Sequence, residues 1–192
     1  MVYTKQRFLS FEEYLDYDDE TDNLYELFNG ELVALPPESG DNTEIAISLL
    51  IELSALVGRS RVRNHGLELE VSGEPKNRYP DFTVIREEHV ELLSKRNTIR
   101  LTMPPPLLVV EVVSPGSIQR DRDYIAKRSQ YEDLGISEYW IVDPELNQVT
   151  VLWIDKDIYE EVGVFTETQK IISPTFPELS LTAKAVLMAK AS

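Results

Sequence analysis

The chain has 192 residues, a net charge of −15 and 42% hydrophobic residues. This length and composition predict one globular domain, residues 1–192, large enough to bury a sizeable core. The absence of cysteine excludes disulfides and thiolate metal sites. No apolar run approaches the ~20 residues of a membrane span, so we expect a cytoplasmic protein without membrane association. The negative charge opposes broad, non-specific binding to nucleic acid.

The first third of the chain predicts a short helix, a hairpin and a longer helix. Ser10 followed by Glu13 is a capping-box signature. The segment YELFNGELVAL, residues 25–35, predicts a hairpin because its central Asn-Gly pair favours a type I′ turn. Residues 42–57 place their apolar side chains on one face and predict a helix that ends at Gly58.

The rest of the chain alternates between strand and helix patterns. Strands are predicted at residues 67–71, 79–85, 107–113, 138–144, 148–154 and 159–165, and helices at residues 117–134 and 181–190. A charged connector, residues 86–100, precedes the third of these strands. Together these elements predict an α+β fold, with a mixed β-sheet flanked by helices.

One predicted buried strand contains a carboxylate. The segment PPPLLVVEVVSP, residues 104–115, has the nearly continuous apolar run of a strand covered on both faces, yet Glu111 lies in its middle. Burying an unpaired carboxylate is energetically unfavourable, so we expect a metal ion or a basic side chain to compensate Glu111. Asp81, which precedes the apolar run of YPDFTVI, needs a partner for the same reason.

A lysine on the following predicted helix is a candidate partner. Tyr124 and Tyr131 define a core-facing stripe, and Lys127 lies between them, three residues after the first and four before the second. Asp123 borders the stripe. An inward-facing lysine usually has an anionic partner, and the two strand carboxylates are the obvious ones.

These three charged groups are compatible with two interpretations. They could form a purely structural ion-pair cluster. Alternatively, Asp81 and Glu111 on neighbouring strands could bind a hard divalent cation such as Mg²⁺. Lys127 could then orient a water molecule or stabilise charge on a phosphoryl oxygen, which is the chemistry of phosphodiester hydrolysis.

The ordered series YPDFTVI, PPPLLVVEVVSPGS and DRDYIAKRSQYEDLGISEYWIVDP resembles the bacterial restriction endonuclease-like family of the PD-(D/E)XK nuclease superfamily. The resemblance covers roughly residues 10–180 and includes YELFNGELV near the start. It implies a restriction-endonuclease-like fold with an α/β-like core. It also implies a metal-dependent endonuclease that hydrolyses phosphodiester bonds of DNA, with Mg²⁺ or Mn²⁺ as cofactor.

Transferred by position, the resemblance makes Asp81 and Glu111 the metal-binding acids. The superfamily lysine that follows the second acid by two residues is absent, because Val113 stands there. Lys127 matches the helix lysine that replaces it in this family. The superfamily often adds an acid from its first core helix, and Glu44 could supply it. Glu44 could equally be the capping-box glutamate after Asp41.

Other residues near the predicted site have weaker signals. Asp123 could support Lys127, and Tyr131 could either bond towards the site or be a plain core residue. Ser114 fits turn or helix-entry hydrogen bonding better than nucleophilic catalysis, because no histidine lies near it in sequence. His65 and His89 show no metal-ligand spacing and are interpreted as incidental.

Basic residues suggest where DNA phosphates could bind. Arg59, Arg61 and Arg63 alternate and would share one face of an extended segment, although such a stripe is more often a solvated strand face. Arg120 lies near the predicted helix start and is a further phosphate candidate.

Two expectations concern assembly and an alternative function. The apolar segments YWIVDP and VTVLWI predict sheet edges that could pair two copies, so we expect a homodimer. The alternative to a nuclease is a non-catalytic interaction module that retains the fold, which the acidic charge favours.

Overall fold

The computed structural model describes residues 7–18, 20–116 and 120–188. Its helices are α1 (Phe11–Leu15), α2 (Gly40–Val57), α3 (His89–Leu92), α4 (residues 122–133) and α5 (Ala183–Leu187). Its strands are β1 (Tyr25–Phe28), β2 (Glu31–Ala34), β3 (Val62–Asn64), β4 (Glu68–Glu70), β5 (Asn77–Arg78), β6 (Phe82–Val84), β7 (Thr98–Ile99), β8 (Leu108–Val112), β9 (Glu138–Asp143), β10 (Gln148–Asp155) and β11 (Ile158–Thr166). Within the described ranges, no helix has the length and apolar character to cross a membrane.

A six-stranded mixed sheet forms the centre of the protein. Its strand order is β11-β10-β9-β8-β6-β3, and β8 and β9 are its parallel pair. Among the described residues, the other strands form a three-stranded sheet, β5-β4-β7, and the β1–β2 hairpin. The predicted α+β class with a mixed sheet is confirmed.

The two faces of the central sheet bury separate hydrophobic clusters. On one face, α2 packs through Ile45, Leu49 and Leu53 against apolar side chains of β8, β9 and β10. On the other face, Tyr131 of α4 and the three-stranded sheet pack against alternate residues of β8 and β9. Apolar burial on both faces explains why β8 and β9 read as nearly continuous hydrophobic runs.

The register of the sheet decides where the two strand carboxylates lie. In the antiparallel pair β6–β8, Phe82 is opposite Val110, so Asp81, the residue just before β6, continues the register opposite Glu111. Alternate residues share a face, and Glu111 therefore lies with Val109 on the face that α4 covers. Both carboxylates belong to this face of the sheet.

Local signals predicted two N-terminal elements correctly. Ser10 caps α1 by accepting a hydrogen bond from the Glu13 N–H at 3.1 Å. The Glu13 carboxylate accepts from the N–H of Leu9 rather than from that of Ser10. Asn29 and Gly30 both have positive φ angles, 50° and 76°, as a type I′ turn requires.

Other sequence predictions need correction. The long helix begins at Gly40, before the predicted Asn42, because the Ser39 side chain caps it. Residues Arg59–Arg61 form a 3₁₀ turn rather than extended chain, so the arginines do not alternate on one strand face. The strand predicted at residues 67–71 spans only Glu68–Glu70, and its Glu68 is buried and accepts a hydrogen bond from Thr98 at 2.6 Å.

The strands expected at sheet edges are internal. β9 lies between β8 and β10, and β10 lies between β9 and β11. Their apolar character reflects burial inside the sheet, which removes the edge-pairing reason for expecting a homodimer. Parts of two predicted helices, residues 117–119 and 189–190, lie outside the described residues.

Candidate active site

A cavity of about 280 Å³ opens where β6 begins and β8 ends, next to α4. Polar and charged side chains form about half of its wall, including those of Glu38, His65, Asp81, Ser114, Arg122 and Lys127. Asp81, Ser114 and Lys127 were predicted site residues, and the structure brings them to this one cavity.

Lys127 connects the cavity to the buried glutamate. Its Nζ atom lies 2.7 Å from Oε2 of Glu111 and 2.9 Å from Oδ1 of Asp123. The Tyr131 hydroxyl donates a 2.5 Å hydrogen bond to Oε1 of Glu111. The predicted contact between Lys127 and Glu111 is present, and Tyr131 is both a core residue and a hydrogen-bond donor to the cluster.

The backbone of α4 has π-helical geometry over Arg122–Lys127, before it continues as an α-helix over Arg128–Asp133. Such widened turns are rare and occur frequently at functional sites. Here the π segment carries Asp123 and Lys127, which are both buried and form an i,i+4 ion pair. The wide turn thus coincides with the charged part of the helix.

Asp81 is fixed by the backbone of the neighbouring strand. Its Oδ2 atom accepts a 2.7 Å hydrogen bond from the N–H of Val112. Burial raises the pKa of Asp81 well above its usual range, and the nearby Glu111 and Glu38 raise it further, against the opposing effect of Lys127. A buried carboxyl with this environment favours either a proton or an additional cation.

Glu111 and Lys127 stabilise each other's charged forms. Burial raises the pKa of Glu111, although Lys127 opposes that effect. Burial alone would lower the pKa of Lys127, but its attraction to Glu111 and Asp123 outweighs burial, and the net shift is upward. Lys127 therefore remains an ammonium group at neutral pH.

Glu38 and His65 are two cavity residues that were not predicted to belong to the site. One potential ligand atom from each, together with one from Asp81, lies within 4.8 Å of the others. The Asn42 side-chain amide donates to Oε2 of Glu38 at 3.3 Å and to Oγ of Ser114 at 3.2 Å, which holds Glu38 at the cavity. Ser114 thus accepts a hydrogen bond from a helix distant in sequence, whereas the turn or helix-entry hydrogen bond expected from its sequence position stays a prediction.

Glu44 does not contribute to this cavity. It is exposed and lines a separate depression with Ile47, Thr182 and Met188. Its alternative role as a capping-box residue after Asp41 is also wrong, because Ser39 is the N-cap. Glu38, which precedes the same helix, is the additional acid near Asp81. The sequence feature that could have identified it is its position directly before the N-cap residue, Ser39.

The predicted phosphate-binding arginines have protein partners elsewhere. Arg61 donates to the carbonyl of Ile85, and Arg63 donates to those of Ser60 and Val62. Arg120 pairs with the carboxylates of Asp143 and Glu145, so its charge is neutralised. None of these three arginines lines the described cavity, whereas Arg122 does.

Comparison with known proteins identifies the family. The model of the Uma2 family, described as "Putative restriction endonuclease", matches residues 11–184. The chain belongs to this family. No curated protein matches it significantly.

A solved structure shares the fold of this Uma2 family chain. It is described as a "putative nuclease belonging to DUF820" from Anabaena variabilis, and it superposes with a TM-score of 0.67. The sequences are 18% identical, and the match covers 95% of this chain and 99% of that one. At this identity the similarity establishes a common fold.

The residues of the Uma2 cavity fit a divalent cation. Carboxylate oxygens from Glu38 and Asp81 are suitable ligands for Mg²⁺ or Mn²⁺, and an imidazole nitrogen suits transition ions. Nδ1 of His65 is buried and has no hydrogen-bond partner among the described residues. This unsatisfied nitrogen, beside a buried carboxylate with a raised pKa, fits the role of a ligand atom for such an ion.

Proposed function

We propose that this chain is a metal-dependent endonuclease that hydrolyses phosphodiester bonds of DNA. The observation that carries the proposal is the position of Lys127, which contacts the buried Glu111 and also lines the cavity beside Asp81. This arrangement combines carboxylates with a cation at one open site, as expected for a PD-(D/E)XK nuclease with a displaced lysine. Membership of the Uma2 family supports the same chemistry.

Asp81 and Glu111 are the proposed acids that hold Mg²⁺ or Mn²⁺. The Val112 N–H orients Asp81 through Oδ2 and leaves its Oδ1 atom for a ligand. Each carboxylate oxygen has two lone pairs, so Glu111 can ligate an ion while it accepts from Lys127 and Tyr131. A bound ion would lower the pKa of a coordinated water and polarise the phosphoryl oxygen.

Lys127 is proposed to position the water or to neutralise charge on the scissile phosphate. Its ammonium has three N–H donors, and Glu111 and Asp123 can take two of them. At least one donor remains for the cavity. Because the ion pairs keep Lys127 charged and fix its position, the donor is preorganised for negative charge that develops in the transition state.

DNA contacts are proposed at Arg122 rather than at the arginines predicted from the sequence. Arg122 lines the cavity, and its Nε lies 3.5 Å from Oδ1 of Asp123. An arginine at the mouth of the site can contact a backbone phosphate, which supplies most of the affinity in nucleic-acid binding. The net charge of −15 implies weak binding outside this local contact.

One observation favours the alternative, a non-catalytic interaction module. Both oxygens of Glu111 already accept hydrogen bonds, from Lys127 and Tyr131, so its buried charge is compensated without a metal ion. A module of this kind would bind no divalent cation at millimolar concentration and would leave DNA intact. Calorimetric titration with Mg²⁺ and Mn²⁺ separates the two functions.

The decisive experiment incubates purified protein with plasmid and single-stranded DNA in the presence of Mg²⁺ or Mn²⁺. We expect cleavage that EDTA abolishes and that Asp81→Asn reduces at least ~100-fold, because a ligand is lost. Glu44→Gln, at an exposed acid of the first long helix that lies outside the cavity, is the matched control and should retain full activity. Cleavage that persists in Asp81→Asn would contradict the proposed roles.

A further inference from the structure

We propose that His65 is a ligand of the metal ion in this cavity, and that the site therefore prefers a first-row transition ion such as Mn²⁺ over Mg²⁺. The proposal rests on the proposed function in one respect, the presence of the ion at Asp81. The proposal adds His65, which was interpreted from the sequence as incidental, to the metal ligands, and it specifies the class of metal.

The surroundings of His65 leave its Nδ1 atom without a hydrogen bond. The residue follows β3, and Gly66, with a φ of 139°, turns the chain directly after it. The imidazole ring lies against Tyr79, with ring centroids 6.3 Å apart. Nδ1 is buried and has no hydrogen-bond partner among the described residues, although Oδ1 of Asp81 lies 3.8 Å away.

Neither neutral tautomer of His65 resolves this arrangement. With the proton on Nδ1, the donor would be too far from Asp81 for a hydrogen bond, which requires about 2.7–3.2 Å. With the proton on Nε2, the Nδ1 lone pair would face the carboxylate oxygen, and the two acceptors would repel each other. A proton on Asp81 would not join the two atoms either, because 3.8 Å is too long for an O–H···N hydrogen bond. A cation between the two atoms satisfies both.

The spacing of the atoms suits ligands of one ion. Ligands at ~2.1 Å from an octahedral ion are about 3.0 Å apart when adjacent and about 4.2 Å apart when opposite. The 3.8 Å separation of His65 Nδ1 and Asp81 Oδ1 lies between these values. The ligand atoms of Glu38, His65 and Asp81 all lie within 4.8 Å of one another, so side-chain movements that bring each pair at most about 1.8 Å closer give the separation of adjacent ligands.

The type of donor then selects the metal. Mg²⁺ prefers an all-oxygen shell with near-ideal octahedral geometry and keeps several waters. Imidazole is a suitable ligand for first-row transition ions. Among these ions, Mn²⁺ also accepts carboxylate ligands such as Glu38 and Asp81. Adding an imidazole to these carboxylate ligands therefore gives a set that Mn²⁺ binds more tightly than Mg²⁺.

Calorimetric titration of the metal-free protein with MnCl₂ and with MgCl₂ tests the proposal. We expect wild-type protein to bind Mn²⁺ at least about tenfold more tightly than Mg²⁺. His65→Phe, which keeps a ring against Tyr79 but removes both nitrogens, should weaken Mn²⁺ binding at least about tenfold and Mg²⁺ binding less than about threefold. Glu44→Gln should change neither affinity.

A second variant tests the metal class directly. His65→Asp replaces the nitrogen ligand with oxygen and should shift the preference towards Mg²⁺, and it serves as the test variant if His65→Phe does not fold. Unchanged Mn²⁺ affinity in both variants, or equal loss for the two metals, overturns the role of His65 while the metal site itself stands. Wild-type protein that binds neither metal overturns the proposed function as well.

Discussion

Nζ of Lys127 lies 2.7 Å from Oε2 of Glu111, with both side chains buried between α4 and the central sheet. The pair forms because period-2 alternation turns Glu111 to the face that α4 covers, and helical periodicity turns Lys127 towards the sheet. Each charge is removed from water, so each depends on the other. A protein with two well-packed apolar residues in place of this pair could be equally stable.

Removing only the cation should destabilise the protein strongly. Lys127→Met keeps an unbranched apolar stem, one atom shorter, but leaves Glu111 and Asp123 buried without the ammonium group. We expect the free energy of unfolding to fall by roughly 3–5 kcal/mol in denaturant titration at neutral pH. Lys156→Met, at an exposed lysine, should change it by less than about 0.5 kcal/mol. Near-wild-type stability of Lys127→Met would show that the buried pair is not a coupled unit.

Asp81 should make the metal-free protein less stable as the pH rises. Because burial raises its pKa in the folded state, the folded protein binds this proton more tightly than the unfolded chain does. The stabilisation by this proton is complete below about pH 4, the pKa of an Asp side chain in the unfolded chain. It is lost as the pH rises through the raised pKa of Asp81 in the folded protein. Asp81→Asn should remove this dependence and should be more stable than wild type at pH 7 in EDTA.

Denaturant titrations from pH 4 to pH 8 measure the Asp81 effect. Asn retains an acceptor for the Val112 N–H, so the variant isolates the charge. Asp155→Asn, at a largely exposed carboxyl, is the control and should follow the wild-type profile. A constant difference between wild type and Asp81→Asn over the whole pH range would rule out the raised pKa as the cause.

A second buried glutamate should be essential for docking the C-terminal segment. Glu138 is fully buried and accepts hydrogen bonds from the Trp140 indole, the Ser173 hydroxyl and the Thr175 N–H. Glu138→Ala leaves these donors unpaired, and each buried orphan donor costs about 1–3 kcal/mol. Thermal unfolding should show a large decrease in Tm, whereas Glu160→Gln on the exposed side of β11 should not.

The turn of the N-terminal hairpin should not tolerate a side chain. Gly30 has a φ of +76°, and a Cβ there would lie 2.7 Å from the carbonyl oxygen of Phe8. Gly30→Ala should therefore cost more than the ~1–2 kcal/mol of left-handed strain alone. Gly40→Ala, where a Cβ would meet nothing within 4 Å, should be neutral or slightly stabilising. Equal unfolding midpoints for the two variants would contradict this account.

The sequence by itself determined the elements whose signals are local. A capping serine at residue 10 and an Asn-Gly pair act within a few residues, so they specify α1 and the hairpin turn without help from the rest of the chain. Periodicity also placed Lys127 and Glu111 on facing surfaces. Since each is costly to bury alone, their pairing could be predicted before the fold was known.

Only the tertiary structure decided how the cavity is completed. Glu38 and His65 lie in connecting segments, outside the strands and helices, and no periodicity links them to Asp81. Their proximity follows from the non-local pairing of β3 with β6 and from the contact between Asn42 and Ser114. A further non-local pairing, of β9 with β8, together with the pairings of β10 with β9 and β11, made β9 and β10 internal strands. Such contacts join residues distant in sequence, and their geometry is set by packing of the whole chain rather than by local residue patterns.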